Sequence, residues 1–354
     1  MSTHDLTTLR SAAAEIFTAA GVEPTAAVNV ADALVEADAR GIASHGLMLV
    51  PMYVDRLLAG SVSTSTHPVV LVDRGAMALL DAEHALGIVT SDVAMALAVD
   101  KARQFGIGIV NVRHAFHFGG AFRYVQAAMD AGMIGIAASN TRPLMPAPGG
   151  ATPVVGNNPI AVGVPGPDPV LVDMALSEAA LGKIRLADSE GREIPNTWAT
   201  DSSGQPTTDP AAAIAGLLLP AGGPKGYGLA LVVDVLTGVL GGGGFGSAVR
   251  GLYADTTVPN DCAHLFIAID PEFWDTPDAF AARVDALGAE VHASEVAPGV
   301  DAVLLPGQRE RESSRRAHAQ GITIPASVVE ALVQTAQRVG ASLPAELMPA
   351  GSRA

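Results

Sequence analysis

A chain of 354 residues with 49% hydrophobic and 16% charged residues has enough apolar side chains for a large core and too little charge for a disordered polymer. Its formal charge of −15 repels phosphate backbones and anionic headgroups, which argues against nucleic acid and membrane surfaces as partners. A single cysteine, Cys262, cannot close an internal disulfide. Met1 to Leu9 lacks the basic-then-apolar pattern of a secretory signal, and no apolar run reaches the ~20 residues of a membrane span, so the expectation is a cytoplasmic protein.

Leu6, Leu9, Ala13, Ile16, Phe17 and Ala20 recur at helical spacing up to Gly21. Pro24 opens a second helix that runs towards Gly41, and a third is predicted from Pro51 to Leu58, ending at Gly60. Val69 to Asp73 and Ala76 to Asp81 read as two strands around Arg74-Gly75. Gly87 to Phe105 is Ala-rich and helical, Gly106 to Val112 is a strand, Gly120 to Ala131 a helix, and Met133 to Ala138 a strand. Strands alternating with helices predict an α/β fold with a mixed or mostly parallel sheet. Residues 140–169, dense in Pro, Gly and Asn, read as a long loop system. Val170 to Met174 is a strand, Asp188 to Asp209 a polar surface excursion, Lys225 to Leu240 a helix, and His264 to Asp270 a strand. Residues 309–320 read as a charged loop, and Pro325 to Val339 as an amphipathic closing helix.

Gly241, Gly243 and Gly246 fit a G-x-G-x-x-G pattern but follow a helix. A dinucleotide fingerprint needs those glycines between a strand and a helix, so they read as a helix stop. Ser44-His45 sets a hydroxyl beside an imidazole just past a helix end. There the His can carry a proton with the hydroxyl orienting it, or simply complement the helix dipole. His114 to Gly120 lies between a strand and a helix. Its glycines and helix-start amides suit an anion, while His114 and His117 could instead be metal ligands, although no Cys or carboxylate is suitably spaced. Asp173 ends an apolar strand, where a lone carboxylate is costly without a partner. Lys225 opens a helix after a Gly-rich loop. A cation is electrostatically out of place there, which suggests that it reaches an anion such as a cofactor phosphate.

These blocks, in order, resemble the malate/L-lactate dehydrogenase-like family that lacks a Rossmann domain. They are Ala37 to Ile42, Ser44-His45-Gly46, Pro51 to Val54, His117-Phe118-Gly119, Gly132 to Ile136, Gly156 to Ala161, Asp173-Met174-Ala175, Gly182-Lys183, Pro224 to Gly228, His264 to Pro271 and Pro306-Gly307. The resemblance implies a homodimer with NAD or NADP held by a non-Rossmann α/β domain with a mixed sheet, plus a helical N-terminal segment packing with the C-terminal helix. It implies a division into a helical segment at 1–67, an α/β segment at 68–115, a cofactor-binding domain at 116–290, and a C-terminal segment at 291–354 that returns to the N-terminal lobe. Ser44 and His45 match a proton-relay pair, and His117 and Asp173 are further catalytic candidates. His117, Phe118, Gly119, Gly120, Ala121, Asp173, Met174, Ala175, Lys225, Gly226, Pro306 and Gly307 match cofactor contacts.

The implied reaction is hydride transfer between NAD(P)H and C2 of a small 2-oxo or 2-hydroxy carboxylic acid, with no metal, His45 moving the proton on the oxygen. Alternatives are reduction of a cyclic imino acid in the same site and, in another class, a metal-dependent lyase or hydrolase using His114 and His117. Two positions depart from the family. Leu49 stands where members usually carry an Arg for the substrate carboxylate, and Asn157 interrupts the usual Gly-Thr-Asn-Pro loop. Arg142, in a loop expected to border the site, is the candidate replacement for that Arg; it could equally be a solvated loop residue.

Overall fold

The computed structural model describes residues 2–348. The N-terminal lobe is helical. Helix α1 (Leu6–Ala19) starts at Asp5, whose carboxylate accepts the amides of Thr7 and Thr8 and so satisfies two donors that the first turn leaves free. Helix α2 (Pro24–Ala39) and helix α3 (Val50–Ala59) each carry proline in the first turn. Helix α3 stops at Gly60, whose φ of 77° is the left-handed conformation that glycine adopts without a Cβ clash. Leu9, Ile16, Leu34 and Tyr53 are fully buried between these helices.

Seven strands form the main sheet: β1 (Val69–Arg74), β2 (Met77–Asp81), β3 (Ile107–Ala115), β4 (Ile134–Ser139), β5 (Ile160–Val164), β6 (Val170–Met174) and β7 (Cys262–Ile269). Their spatial order is β1-β2-β3-β7-β4-β5-β6. Only β2 and β3 are parallel, joined through helix α4 (Gly87–Phe105); every other neighbouring pair is antiparallel. The sheet is therefore mixed, and the mostly parallel alternative is corrected. The cause is β7, which arrives late in the chain and inserts antiparallel between β3 and β4.

Alternation along the strands gives the sheet two apolar faces. Val110, Val112, Phe266 and Ala137 pack under α4 and helix α5 (Phe122–Asp130). Ile109, Leu265, Ile267 and Ala138 face the opposite layer, which contains helix α6 (Leu181–Ser189), the short helix α7 (Pro210–Ala215) and helix α8 (Pro224–Asp234). Helix α9 (Pro277–His292) follows β7. The chain then returns to the N-terminal helices: helix α10 (Gln308–Gln320) packs on α2, and helix α11 (Ala326–Val339) on α1 and α3.

Three local readings change. Residues 309–320 are helical in α10, not a loop. Only Ala317 is buried there, so no apolar stripe marks the helix. Its contacts with α2 are polar instead: Ser313 Oγ donates to Ala39 O at 2.9 Å, and Ser314 and His318 bond to Glu36. Within 140–169, residues 160–164 form β5, hidden in the sequence by its shortness and by Pro159 and Pro165 at its ends. The excursion near residue 188 begins inside α6. The 241–246 glycines follow α8 and a π-turn (Val235–Val239), as a helix stop should.

Candidate active site

The site begins where α2 ends. Gly41, at φ 81°, turns the chain into a 3-10 turn at Ala43–His45. Asp38 holds this turn by accepting the Leu47 amide at 2.8 Å. A Cβ on Gly46 would lie 2.2 Å from the Asp38 carboxyl carbon, so glycine is required for that approach. Burial raises the Asp38 carboxyl to about 6. Ser44 Oγ lies 3.0 Å from His45 Nδ1, and burial lowers the His45 pKa, favouring the neutral ring.

His117, 72 positions further along, leaves the end of β3 and stacks on His45, with ring centroids 5.4 Å apart at 24°. The hydroxyl of the fully buried Tyr53, on α3, lies 2.7 Å from His117 Nδ1. Burial first, and then the charges of His45 and His264, push His117 down to about 3. His264, on β7, supports this loop from within the core. Its Nε2 donates to Phe116 O at 3.1 Å, its Nδ1 meets Ser139 Oγ at 3.0 Å, and its ring stacks on Phe118 at 4.6 Å. Burial brings His264 to about 4.

His114 points elsewhere. Its Nδ1 lies 3.0 Å from Asp81 Oδ2, and its ring is 5.5 Å from that of His84. His114 and His117 therefore share no ligand position, which removes the geometric basis for a lyase or hydrolase built on that pair.

The segments matched to cofactor contacts lie along β6 and just beyond it. Asp173 Oδ2 accepts the Phe122 amide at 2.8 Å and also faces the Ala121 amide. The α5 amides suggested for a phosphate are thus engaged by a protein carboxylate, while Phe118 and Ala121 are buried. Burial raises Asp173 to about 6 against these amides and the charge of Arg40, whose guanidinium lies 4.4 Å from the Phe122 ring centroid. Beyond Met174 and Ala175, the Leu176 amide donates to Asn157 O at 2.7 Å, and the Ala221 amide to Leu176 O at 3.0 Å. Gly226 packs so closely that a Cβ would lie 2.2 Å from Ala221 O, leaving Lys225 exposed at the start of α8. Pro306-Gly307 straps the same strand: the Leu171 amide donates to Pro306 O at 3.0 Å, and a Cβ on Gly307 would lie 2.7 Å from Leu171 O.

The substrate candidates divide. Thr141 Oγ1 donates to Asn157 Oδ1 at 2.9 Å, and the Thr141 amide to Asn158 Oδ1 at 2.9 Å. Asn158 Nδ2 in turn donates to Ala230 O at 2.8 Å, so the loop carrying Arg142 is anchored on α8. Arg142 is exposed, and a Cβ on its neighbour Gly251 would meet Arg142 Cδ at 3.0 Å. Leu49 is corrected: at 3% exposure it belongs to the apolar core of the helical lobe and presents nothing to a substrate. Reading the sequence missed Asp38, Arg40 and His264 as site residues and assigned Tyr53 no role. Each lay inside a matched block, but its partner is set by the fold.

Asp173 provides a pH test. Its folded pKa, about 6, is raised above the usual 3.8, so the native state keeps a proton that the unfolded chain releases. That group opposes folding increasingly as pH rises from about 4 to about 6, and by a constant amount above that. Asp173→Asn removes this share. The loss of thermal stability between about pH 4 and about pH 7 should be smaller in the variant than in the parent, as followed by calorimetry.

Comparison with known proteins identifies the family. The family profile for malate/L-lactate dehydrogenase matches residues 4–333. The chain is 38% identical over 333 residues to an L-sulfolactate dehydrogenase of Methanothermobacter thermautotrophicus, covering 93% of this chain and 95% of the relative. It is 38% identical over 321 residues to a ureidoglycolate dehydrogenase (NAD(+)) of Escherichia coli K12, covering 90% and 91%. It is 36% identical over 334 residues to a (2R)-3-sulfolactate dehydrogenase (NADP(+)) of Chromohalobacter salexigens, covering 94% and 96%. The solved sulfolactate dehydrogenase of Methanocaldococcus jannaschii superposes with a TM-score of 0.91 at 35% identity, covering 96% of this chain and 98% of the other. With matches over nearly the whole length in both sequence and fold, the lyase or hydrolase alternative is set aside: this chain belongs to the malate/L-lactate dehydrogenase family and is an oxidoreductase.

Proposed function

We propose that the protein interconverts a small 2-oxo acid and its 2-hydroxy acid, using NAD or NADP, at the His45–His117 pair. The observation that carries this reading is the stacking of two imidazoles, one beside Ser44 and the other on Tyr53, at the start of the loop whose far end is held by Asp173. The cofactor fits this neighbourhood. Gly226 and Gly307 bring the chain close against its own backbone, at Ala221 O and Leu171 O, and Lys225 stands exposed beside the first of them. In this reading Lys225 meets a phosphate, while Pro306-Gly307 and Asp173 to Ala175 border the remainder of the cofactor. When bound, the nicotinamide supplies or accepts the hydride. His45 moves the proton on the substrate oxygen, with Ser44 fixing its ring. Arg142 holds the substrate carboxylate in place of the family Arg.

The partner chain is proposed to be a second copy. Leu229, Val232, Val235, Leu236, Val239 and Leu240 are all exposed along α8 and its π-turn, an apolar face that suits a self-complementary interface. The cytoplasm is the proposed setting, on the single buried Cys262.

The test is a panel of 2-oxo acids followed by loss of reduced-nicotinamide absorbance, with two variants. Arg142→Ala should raise the KM for the acid about 10- to 100-fold, as loss of a charged hydrogen bond of ~1.5–3 kcal/mol requires, and leave the cofactor KM unchanged. Lys225→Ala should do the reverse. No turnover of any acid in the panel would refute the function, and exchanged effects would reassign the two cations.

A further inference from the structure

We infer that Tyr53 is a positioning residue that holds His117 as a neutral imidazole protonated at Nε2, so that His117 polarises the reacting oxygen as a hydrogen-bond donor while His45 alone carries the proton. The inference rests on the proposed reaction and divides the labour within it. The Tyr53 hydroxyl lies 2.7 Å from His117 Nδ1 and 3.5 Å from His117 O. The carbonyl is too far for a good bond, so a proton on Nδ1 would leave the buried hydroxyl proton without an acceptor there; the hydroxyl therefore donates to Nδ1. A neutral ring that accepts at Nδ1 carries its own proton on Nε2.

The surroundings keep both groups in those states. Tyr53 is fully buried, with ring contacts to Phe17 and Phe116, and its pKa lies well above 10, so it remains a donor. The titratable groups that act on the pair are His45 and His264 around His117, with Tyr253 and Cys262 near Tyr53. None of these is an acid that would favour an imidazolium. A proton at Nδ1 would also reverse the short bond and leave the hydroxyl proton only His117 O, at 3.5 Å. A neutral imidazole is a strong enough donor to polarise a carbonyl and too weak an acid to give up Nε2–H during turnover. In the reductive direction the oxygen therefore gains its proton from His45, and His117 keeps its own.

The test is nitrogen NMR on the full-length protein labelled at histidine nitrogen, with the His117 ring assigned by its loss in His117→Gln. From about pH 5 to about pH 8, where a free histidine changes charge, His117 should show an unprotonated Nδ1 and a protonated Nε2 throughout. Tyr53→Phe, which keeps the ring and its packing, should shift this signal towards a mixture of tautomers. It should also lower kcat about 10- to 100-fold, with cofactor binding, read by fluorescence, within about twofold of the parent. An imidazolium or Nδ1–H signal for His117 near neutral pH would overturn the inference. So would an unchanged signal in Tyr53→Phe, or a switched tautomer with kcat intact. The tautomer is read without substrate or cofactor. A fixed Nε2–H in a protein that turns over no 2-oxo acid would therefore count against the proposed reaction and leave the Tyr53 contact standing.

Discussion

His45→Ala is expected to lower kcat by about two to four orders of magnitude and to leave cofactor affinity within about twofold. His45 and His117 are both half-buried while His264 is wholly enclosed, and of the first two only His117 has its Nδ1 engaged by the buried Tyr53 hydroxyl. Burial lowers the His45 pKa without a buried acid to oppose it, so the ring is largely neutral near pH 7 and regains a proton as the pH falls. In the reductive direction the rate should therefore rise towards lower pH and level off below the His45 pKa; in the oxidative direction it should rise towards higher pH. Both limbs should disappear in His45→Ala. Steady-state rates across pH, with cofactor titration by fluorescence, check both parts. Near-parental turnover in the variant would transfer the proton to His117.

Arg56→Met should destabilise the protein by about 3 kcal/mol, one unmet hydrogen bond of ~1 kcal/mol for each of three carbonyls. Arg56 is fully buried and faces no carboxylate within ion-pair distance among the described residues. Its guanidinium donates to Leu252 O at 3.0 Å, Val258 O at 2.8 Å and Gly251 O at 2.9 Å, so one planar fork from α3 fixes the turn at 251–258. Met keeps the apolar bulk and removes all three donors. Because Gly251 lies against Arg142, release of this turn should also raise the KM for the acid substrate. Arg56→Lys should restore less than half of the stability, since a single ammonium cannot span the three acceptors. Urea unfolding of the three proteins measures the difference, and an unchanged midpoint in Arg56→Met would mean that water replaces the guanidinium at no cost.

Much of the helical framework was legible because its signals are local. Pro24 and Gly41 bracket α2, and Gly106 closes α4, at φ 79°. Ser44 and His45 are neighbours in the chain, so their pairing needed no fold. Helix α10 was not legible, because Glu36 and the Ala39 carbonyl anchor it through hydrogen bonds that leave no hydrophobic period.

By itself, then, the sequence determined most of the element types outside α10 and β5, many of the helix ends, the ordered blocks that place the chain in its family, and the loss of an arginine at Leu49. Only the tertiary structure decided which of those residues meet. His45 and His117 become a pair because α2 and β3 end at the same place. Tyr53 reaches Nδ1 of one of them because α3 packs across the gap, and Asp173 faces α5 because β6 is the outer strand beside it. Position 49 lies in the core, not at the substrate, because the helical lobe closes over it. Such contacts join residues tens of positions apart. Their energy comes from burial and from hydrogen bonds formed in low dielectric, quantities that exist only once the chain is packed.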